Sequence, residues 1–413
     1  MTTLHLTNAY HPSSGGIRTF YTALLEAADR DGRRAVLVVP GERSRVHQVG
    51  RHARIYELAA PRALAFDRRY RLLLPHRYLP WAHTDLLRIL EREQPQVVEI
   101  CDKYALPYLA ALLRKGWMRH VRRPVLVGLS CERFDDNMSA YLSRSDGARA
   151  FTRWYIRHIY GPPFDVHVAN SGYTADELRD ALPDRPPGFI RTLPMGVDAE
   201  AFGSWRADAD LRSRLLARLG AGEEATLLFY AGRLSPEKNV GLLLETLREL
   251  VARGTADYRL VLAGDGPMVE QVRIATAATL AGRVLLCGNL DRDTLAACYA
   301  TCDVFVHPNP REPFGIGPLE AMASGIPVVV PCAGGVLEYA TSANAWLALP
   351  EPRAFADAVE AARLRDPDRL AAARETAYRY RWANVTRRFF DFYDTLAGSP
   401  LPDVTPVRAG RAR

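Results

Sequence analysis

Short runs of apolar residues alternate with amphipathic stretches along most of the chain, and this alternation limits the fold more than any other feature of the sequence. Continuous apolar runs separated by helical patterns are typical of parallel strands covered by helices on both faces. We therefore predict an α/β protein with doubly wound parallel sheets. The predicted strands are 35–39, 96–100, 124–129, 165–169, 226–230, 258–263, 283–287, 303–306 and 326–330, and the helical patterns include 17–30, 82–93, 239–252, 268–280, 291–301 and 318–324.

The length of the chain predicts two domains. Its 413 residues exceed the roughly 250–300 residues that a single core holds. The alternation weakens near 182–222, where prolines and glycines cluster, and we place a hinge there. We assign 1–190 to an N-terminal domain, 191–380 to a C-terminal domain and 398–413 to a flexible tail. The two sheets would then face each other across a cleft, where ligands of such sheets bind.

Charge and apolar content exclude several classes of function. No apolar stretch reaches the ~18–20 residues of a membrane span, and the N-terminus lacks the pattern of a secretory signal, so we expect a cytoplasmic protein. The six cysteines show no metal-binding spacing. Residues 1–190 contain 28 Lys and Arg against 20 Asp and Glu, but no nucleic-acid-binding motif accompanies this charge, so we expect no nucleic acid partner.

A loop with two cations follows the predicted strand 226–230. Arg233 comes just after the strand, and Lys238 precedes a helix for which Asn239 is the predicted N-cap. Two cations beside the positive end of a helix dipole would bind a diphosphate. An ordinary solvated basic loop is the alternative. Only three of the 54 basic residues are lysines, which favours a specific role for Lys238.

Two further segments lie at predicted strand ends. Gly264-Asp265-Gly266-Pro267 allows close approach of the backbone to a ligand, although a plain tight turn explains it equally well. After strand 303–306, a loop carries Glu312, and a glycine-rich turn then opens a helix that has Glu320 in its first turn. These carboxylates could bind paired sugar hydroxyls, and the helix amides could bind an anion. Glu320 could instead only stabilise the helix dipole.

Together these segments resemble the retaining glycosyltransferases of family 4, which have the GT-B fold of two Rossmann-like domains facing a cleft. The resemblance is specific over about 193–340 and looser over 1–190 and 380–397. The matching segments are Gly232-Arg233-Leu234-x-x-Glu237-Lys238, Gly264-Asp265-Gly266-Pro267, the Glu-x7-Glu motif from Glu312 to Glu320, and Leu193-Pro-Met-Gly-Val-Asp198.

The resemblance implies a nucleoside diphosphate sugar as donor and no separate cofactor. Arg233 and Lys238 would hold the diphosphate and stabilise the departing nucleotide, and Glu312 would contact hydroxyls of the transferred hexose; these three are the implied catalytic residues. Glu320 would contact the ribose. The other implied donor-binding residues are Gly15, Gly16, Gly232, Gly264, Gly266, Asn289, Leu290, Phe314, Gly315, Ile316 and Gly317.

Several choices within this class stay open. The donor could be GDP-mannose or a UDP-hexose, and the acceptor could be a glycolipid, a glycan or a small molecule. We expect no metal, because the Asp-x-Asp pattern at 208–210 lies in an irregular segment and the one at 291–293 fits a helix cap. The alternatives are a phosphorylase or sugar-nucleotide epimerase of the same fold, and a catalytically silent nucleotide-sugar-binding protein.

The first half departs from the family at the acceptor side. Many members carry a histidine after the strand equivalent to 124–129, and none follows it here. Asp102, Glu132 and Asp135 are the candidates for contact with the sugar or the acceptor, each with a structural role as the alternative.

Two further segments bear on membrane contact and on domain organisation. Residues 61–83 combine five arginines with Tyr70, Tyr78 and Trp81. They could contact anionic lipid headgroups at the inner face of a membrane, form an acceptor loop or pack on the domain. In the family, a C-terminal helix crosses back to the first domain, and we expect 381–397 to do so.

Overall fold

The computed structural model describes residues 1–11, 15–63, 70–79, 81, 84–141 and 146–398, and its strands form two sheets. The first sheet contains β1 (Thr2–Thr7), β2 (Arg34–Gly41), β3 (Arg45–Val49), β4 (Ala53–Ala59), β5 (Val97–Cys101), β6 (Val125–Ser130), β7 (Val166–Ala169) and β8 (Ile190–Thr192). Their order across the sheet is β3-β4-β2-β1-β5-β6-β7-β8. Neighbouring strands are parallel, except that β3 and β4 form an antiparallel pair at one edge.

The second sheet is formed by the later strands and is parallel throughout. It contains β9 (Thr226–Ala231), β10 (Tyr258–Ala263), β11 (Val284–Gly288), β12 (Val304–Val306), β13 (Val328–Pro331) and β14 (Trp346–Ala348). Their order is β11-β10-β9-β12-β13-β14. The central strands are buried along nearly their whole length, because helices cover both faces of the sheet.

Most helices lie between successive strands, and the last three follow the final strand. The helices are α1 (Gly16–Arg30), α2 (Asp85–Glu93), α3 (Pro107–Arg114), α4 (Phe134–Tyr141), α5 (Asp146–Tyr155), α6 (Gly172–Ala181), α7 (Ala209–Arg218), α8 (Val240–Arg253), α9 (Val269–Thr279), α10 (Arg292–Thr301), α11 (Ile316–Ser324), α12 (Pro352–Arg363), α13 (Pro367–Arg379) and α14 (Trp382–Gly398). Short 3₁₀ turns occur at Pro75–Arg77, Ser204–Arg206, Pro236–Lys238 and Gly335–Glu338, and a π-helical turn occurs at Ile156–Tyr160. Within the described residues, no helix combines the length and the apolar character needed to cross a bilayer.

In both sheets the strand order reverses beside the first strand of that sheet. β1 lies between β2 and β5, and β9 lies between β10 and β12. The connections leave such a pair of strands in opposite directions, which opens a crevice outside the carboxyl ends of the strands. The loops after β9 and β12 carry Lys238 and Glu312, so both residues lie at the crevice of the second sheet.

The last helix, α14, packs against the first sheet. Phe389 contacts Phe20 of α1, with ring centroids 4.9 Å apart. The Tyr393 hydroxyl donates a hydrogen bond to the buried Glu99 carboxylate in β5. Glu99 also lies 2.9 Å from Nδ1 of His5 in β1. The end of the described chain is therefore joined to strands near its beginning.

The predicted α/β class, with two doubly wound parallel sheets, is confirmed. Each predicted strand overlaps an observed one, and 258–263 coincides with β10. The antiparallel edge pair β3 and β4 was not expected. β8 spans the proposed domain boundary at 190, and the proposed tail lies outside the described residues from 399 onward.

Candidate active site

A cavity of about 660 Å³ lies between the two sheets and is lined by residues of both halves of the chain. Of the residues that the sequence singled out, those on its wall are Gly15, Gly16, Glu132, Gly232, Arg233, Lys238, Gly264, Asn289, Leu290, Glu312, Phe314, Gly315, Ile316, Gly317 and Glu320. Gly266, Asp102 and Asp135 are not among its lining residues. The structure thus brings together residues that are up to about three hundred positions apart in the sequence.

Lys238 and Glu312 form an ion pair on this cavity wall. Lys238 closes the 3₁₀ turn Pro236–Lys238 after β9, and Glu312 lies in the loop after β12. The Lys238 Nζ lies 2.8 Å from Oε2 and 3.0 Å from Oε1 of Glu312. Because β9 and β12 are adjacent in the sheet, two residues that are 74 positions apart meet at its edge.

The surroundings of Glu312 keep its carboxylate ionised. Burial alone would raise its pKa, but the charge of Lys238, the proximity of His307 and a hydrogen bond from Asn309 outweigh burial and lower the pKa to about 2. Asn309 Nδ2 donates to Oε2 at 3.1 Å, and His307 Nε2 lies 3.6 Å from the same oxygen. Burial lowers the pKa of His307 to about 4, although Glu312 opposes this, so the ring is neutral at pH 7. The carboxylate can therefore accept hydrogen bonds from sugar hydroxyls.

Glu320, the second carboxylate of the motif, is in a different environment. It lies in α11 beyond the first turn, and not within that turn as the sequence predicted, because the helix begins at Ile316. Burial raises its pKa to about 7, partly offset by Tyr299 and by the charge of Arg292. The Tyr299 ring lies beneath the same helix, because a side chain at Gly317 would approach the Tyr299 hydroxyl to 3.2 Å. The two carboxylates of the motif thus differ in pKa: Glu312 is ionised at neutral pH, whereas Glu320 titrates near neutrality.

The N-terminus of α11 faces the cavity. Its N-cap is Gly315, which has φ +83° and offers no side chain to the first amides of the helix. A left-handed conformation favours glycine at this position. A Cβ there would also lie 3.1 Å from Cγ of Glu312. The turn therefore places helix amides beside the Lys238–Glu312 pair, and such amides can bind a phosphate.

The glycines after β10 are required by packing between loops. A Cβ at Gly264 would lie 2.0 Å from the carbonyl oxygen of Gly232, and one at Gly266 would lie 2.2 Å from that of Leu234. Backbone of the β9 loop fills the space that a side chain would need. Gly264 also lines the cavity. Gly266 is not among the lining residues, and the structure supports a packing role for it.

The first-domain wall is formed by the loop before α1 and by residues after β6. Glu132 lines the cavity, and its Oε2 accepts a hydrogen bond from Asn137 Nδ2 at 2.9 Å. Asn137 also donates to the Tyr104 hydroxyl at 3.0 Å. Burial raises the pKa of Glu132, and the charge of Lys103 opposes the shift.

Asp102 and Asp135 are engaged elsewhere. Asp102 is buried after β5, where Oδ1 accepts hydrogen bonds from three backbone amides of the turn that precedes α3 and Oδ2 accepts one from Asn8. Asp135 pairs with Arg133, with Nε–Oδ1 and NH2–Oδ2 distances of 2.9 and 2.6 Å. These contacts give both carboxylates a structural role.

Several contacts bridge the cleft beside the cavity. A Cβ at Gly16 would lie 3.2 Å from Cδ1 of Ile316, so the first residue of α1 lies against the first residue of α11. The Gly172 amide at the start of α6 donates to Oε2 of Glu338 at 2.8 Å. The Ser171 hydroxyl donates to the carbonyl of Pro313. The cavity walls contributed by the two halves of the chain are therefore in direct contact around the site.

The two Asp-x-Asp patterns begin at helix N-caps. Asp208 accepts a hydrogen bond from Leu211 N at 2.9 Å, and Asp291 accepts one from Thr294 N at 2.9 Å. In the part of the chain that the structure describes, no group of three or more His, Cys, Asp or Glu side chains could hold a metal ion.

The sequence did not single out several polar residues of the cavity wall, which are Tyr230, Tyr299, Asn309, Arg311, Asn137 and Asn170. Asn309 could have been suspected, because it lies between two prolines directly after a predicted strand. Asn239 is the N-cap residue of α8, as expected, but its side chain makes no capping hydrogen bond to the helix. It adopts φ +53°, and its side chain donates to the carbonyl of Pro308 at 3.0 Å, which joins the β9 loop to the β12 loop.

Segment 61–83 lies partly outside the described residues, at 64–69, 80 and 82–83. Among its described residues, Tyr78 is fully buried and its hydroxyl donates to the carbonyl of Ala105. Tyr70 lines the cavity. Arg71 pairs with Glu42 at 2.8 Å. Of Tyr70, Tyr78 and Trp81, which are the described aromatic residues of this segment, only Trp81 is largely exposed.

Two family models match the chain. The model described as Glycosyltransferase Family 4 matches residues 14–201, and the model described as Glycosyl transferases group 1 matches residues 212–380. The first match covers the eight-stranded sheet from α1 onward, and the second covers the six-stranded sheet with its motif loops.

Proteins of known name are similar to the chain over most of its length. A GDP-mannose-dependent alpha-(1-6)-phosphatidylinositol dimannoside mannosyltransferase of Mycobacterium tuberculosis is 28% identical over 386 residues, which cover 92% of this chain and 93% of that protein. A GDP-mannose-dependent alpha-mannosyltransferase of the same species is 28% identical over 403 residues, covering 94% and 95%. The crystal structure of Anabaena HepE in complex with UDP and glucose aligns with a TM-score of 0.70 at 16% identity, covering 96% of this chain and 100% of HepE. That last likeness concerns the fold.

Proposed function

The chain belongs to glycosyltransferase family 4 and has the GT-B fold, and from this premise we propose that it transfers mannose from GDP-mannose to a hydroxyl acceptor with retention at the anomeric carbon. The observation that carries the proposal is the Lys238–Glu312 ion pair, which lies on the cavity wall at the switch point of the second sheet. A cation for the diphosphate and a carboxylate for the sugar are thus held side by side.

The proposed reaction breaks the bond between the anomeric carbon and a phosphate oxygen. Negative charge develops on the departing nucleoside diphosphate as this bond lengthens. Lys238 and Arg233 line the cavity, and the first residues of α11 line it too. Preorganised cations and amides of this kind stabilise such charge without further reorganisation.

The acceptor oxygen forms the new bond on the same face of the sugar, and its proton passes to the departing phosphate oxygen. In this scheme Glu312 binds hydroxyls of the sugar and does not take the proton. A carboxylate with a pKa of about 2 is a poor base at neutral pH but a strong hydrogen-bond acceptor. Glu320 would accept hydrogen bonds from the ribose.

Similarity favours the GDP-mannose donor over a UDP-hexose. Two relatives that match more than nine-tenths of this chain are both named as GDP-mannose-dependent. The name of the first also specifies a phosphatidylinositol mannoside as acceptor. We therefore propose a glycolipid as the acceptor class and propose that transfer needs no metal ion.

The donor is tested by thermal shift with GDP-mannose, UDP-glucose, UDP-N-acetylglucosamine, ADP-glucose and a dTDP sugar, each with and without EDTA. A ligand that binds only the folded state raises the melting temperature by mass action. We expect the largest shift with GDP-mannose, unchanged by EDTA, and a much smaller shift in Lys238→Ala. A shift with UDP sugars alone would reassign the donor. No shift with any sugar nucleotide would overturn the proposed function.

A further inference from the structure

A second lysine–glutamate ion pair is buried beside the cavity, in the first half of the chain. Lys103 follows β5, and Glu177 lies in α6. The Lys103 Nζ lies 2.6 Å from Oε2 of Glu177, and the two side chains are 2% and 4% exposed. Neither residue is among those that line the cavity. Lysine side chains are almost never buried to this extent unless they are paired.

Lys103 and Glu177 bond to the two ends of the turn between β6 and α4. The Lys103 Nζ donates to the backbone carbonyl of Glu132 at 2.5 Å. The other carboxylate oxygen of Glu177, Oε1, accepts a hydrogen bond from the backbone amide of Asp135 at 2.9 Å. This amide belongs to the first turn of α4, which leaves its amides without partners inside the helix. The ion pair therefore holds the turn 132–135 at both ends.

This turn carries the candidate for contact with the acceptor. Glu132 lines the cavity, and it follows the strand after which many members of the family carry a histidine. Its side chain accepts a hydrogen bond from Asn137 in α4. Burial raises the pKa of Glu132, and the charge of Lys103 opposes that shift. A movement of the turn would thus displace a carboxylate of the cavity wall.

The helix that supplies Glu177 also contacts the loop that carries Glu312. Ser171 is the N-cap of α6, and its hydroxyl donates to the backbone carbonyl of Pro313. Pro313 follows Glu312 directly in the sequence. One helix of ten residues therefore connects the turn with Glu132 to the loop with Glu312 on the opposite wall.

A contribution to stability alone does not account for this ion pair. Removing two charges from water is costly, and apolar side chains of similar volume often stabilise a protein equally well. A lysine instead provides a compact cation with three donors. Here the Nζ contacts Oε2 of Glu177 and the carbonyl of Glu132, and it lies 5.8 Å from the centre of the Tyr160 ring. What the pair adds is a defined position for the turn.

We propose that Lys103 and Glu177 are positioning residues for the transfer reaction. They hold the turn 132–135 so that the Glu132 carboxylate meets the acceptor hydroxyl in a fixed place relative to the Glu312 loop. The part that concerns the acceptor rests on the proposed function, whereas the anchoring of the turn does not.

The test uses the full chain and the double variant Lys103→Met/Glu177→Gln. Glutamine can still accept from the Asp135 amide, so the variant loses the bond to the Glu132 carbonyl without leaving a buried charge unpaired. The assay is mannose transfer from GDP-mannose to octyl α-mannoside, a soluble glycolipid. We expect kcat/KM for this acceptor to fall about 10- to 100-fold, because small displacements of a substrate-positioning group have effects of that size. The affinity for GDP and the melting temperature should stay close to those of the wild type.

Hydrogen exchange tests the anchoring without any need for activity. The amides of 132–137 should exchange at least about tenfold faster in the double variant, while those of α3 and α6 keep their wild-type rates. The control is Arg114→Met, which removes one of the two arginines paired with the buried Asp165. It should lower the melting temperature but change neither the exchange of 132–137 nor the kinetics with the acceptor.

The outcomes separate this proposal from the proposed function. Unchanged exchange at 132–137 in the double variant would overturn the proposal. Faster exchange with wild-type acceptor kinetics would also overturn it, since the pair would then be purely structural, and so would an equal loss of acceptor kinetics in Arg114→Met. If the wild type transferred no mannose, the acceptor part would fall with the proposed function, and faster exchange in the double variant would still support the anchoring of the turn.

Discussion

The Nζ of Lys238 lies 2.8 Å from Oε2 of Glu312, which joins the loop after β9 to the loop after β12. The sequence assigned these residues to different parts of a donor, the lysine to the diphosphate and the glutamate to the sugar. Because the two side chains are in direct contact, each affects the ionisation or the position of the other. The lysine keeps the buried carboxylate ionised, and the carboxylate fixes the position of the ammonium group.

We predict that Lys238→Ala lowers kcat by about 100- to 1,000-fold, as expected when one preorganised group that stabilises developing charge is removed. The variant should also melt at a lower temperature, because it leaves a buried carboxylate without its cation. Steady-state rates and thermal unfolding measure the two effects. Lys115→Ala, which removes an exposed lysine stacked on Trp117, is the control and should change neither.

The double variant Lys238→Ala/Glu312→Gln separates the two roles of this pair. Removing the unpaired charge should restore most of the melting temperature lost in Lys238→Ala, while activity stays low. If the single variant kept activity within tenfold of the wild type, Lys238 would not be a catalytic residue.

A second prediction concerns the pH dependence of the region around Glu320. Its pKa in the folded protein, about 7, is above the ordinary value for a glutamate, so the folded state holds a proton that the unfolded state has released. The wild type should therefore lose stability relative to Glu320→Gln as pH rises from about 4.5 to about 7, and no further above that. Melting curves of both proteins across this range measure the difference. Parallel curves would show that Glu320 titrates normally.

Donor affinity should depend on pH through the same group. An ionised Glu320 can accept hydrogen bonds from both ribose hydroxyls, so we expect tighter donor binding at about pH 8 than at about pH 6. In Glu320→Gln the affinity should be lower and nearly independent of pH over this range. Calorimetric titration with the donor nucleotide checks both statements, and an unchanged pH dependence in the variant would contradict them.

The sheet strands could be predicted well because parallel strands buried on both faces are continuous apolar runs. β1 was missed for a physical reason. Its sequence is TTLHLT, and its polar side chains are satisfied inside the protein. His5, for example, bonds to Glu99 and to the Thr3 hydroxyl. The hydrophobicity of a short segment cannot show that a polar side chain has a hydrogen-bond partner 94 positions away.

The candidate site was predictable where residue type and position at a strand end coincided, as for Lys238 and Glu312. Their contact was not, because it requires the order of strands within the sheet. The same limit applies to Asn239, whose bond to the Pro308 carbonyl depends on β9 lying next to β12. Asp102 shows the opposite error. A carboxylate at a strand end looks functional in the sequence, although here it accepts hydrogen bonds from backbone amides of the turn between β5 and α3.

A third prediction concerns Glu132 on the acceptor side. Glu132→Gln retains the shape of the side chain but removes the charge, so a hydroxyl bound to the carboxylate would lose a charge-assisted hydrogen bond. We expect kcat/KM for the acceptor to fall about tenfold or more, with donor affinity unchanged. Asp135→Asn is the comparison, since Asp135 pairs with Arg133 and does not line the cavity. It should affect stability more than acceptor kinetics, and the opposite ranking would point to Asp135 as the acceptor contact.

The last prediction concerns Tyr393, which joins α14 to the first sheet. Its hydroxyl donates to the Glu99 carboxylate, where both residues are fully buried. Tyr393→Phe keeps the ring contact with Phe389 but leaves the carboxylate with one donor fewer. A hydrogen bond to a buried charged group contributes about 1.5–3 kcal/mol, and we expect a loss of stability in that range. Tyr378→Phe, which alters an exposed phenol in α13, is the control. Chemical denaturation measures both variants. A loss of less than about 0.5 kcal/mol in Tyr393→Phe would mean that ring packing alone holds the helix in place.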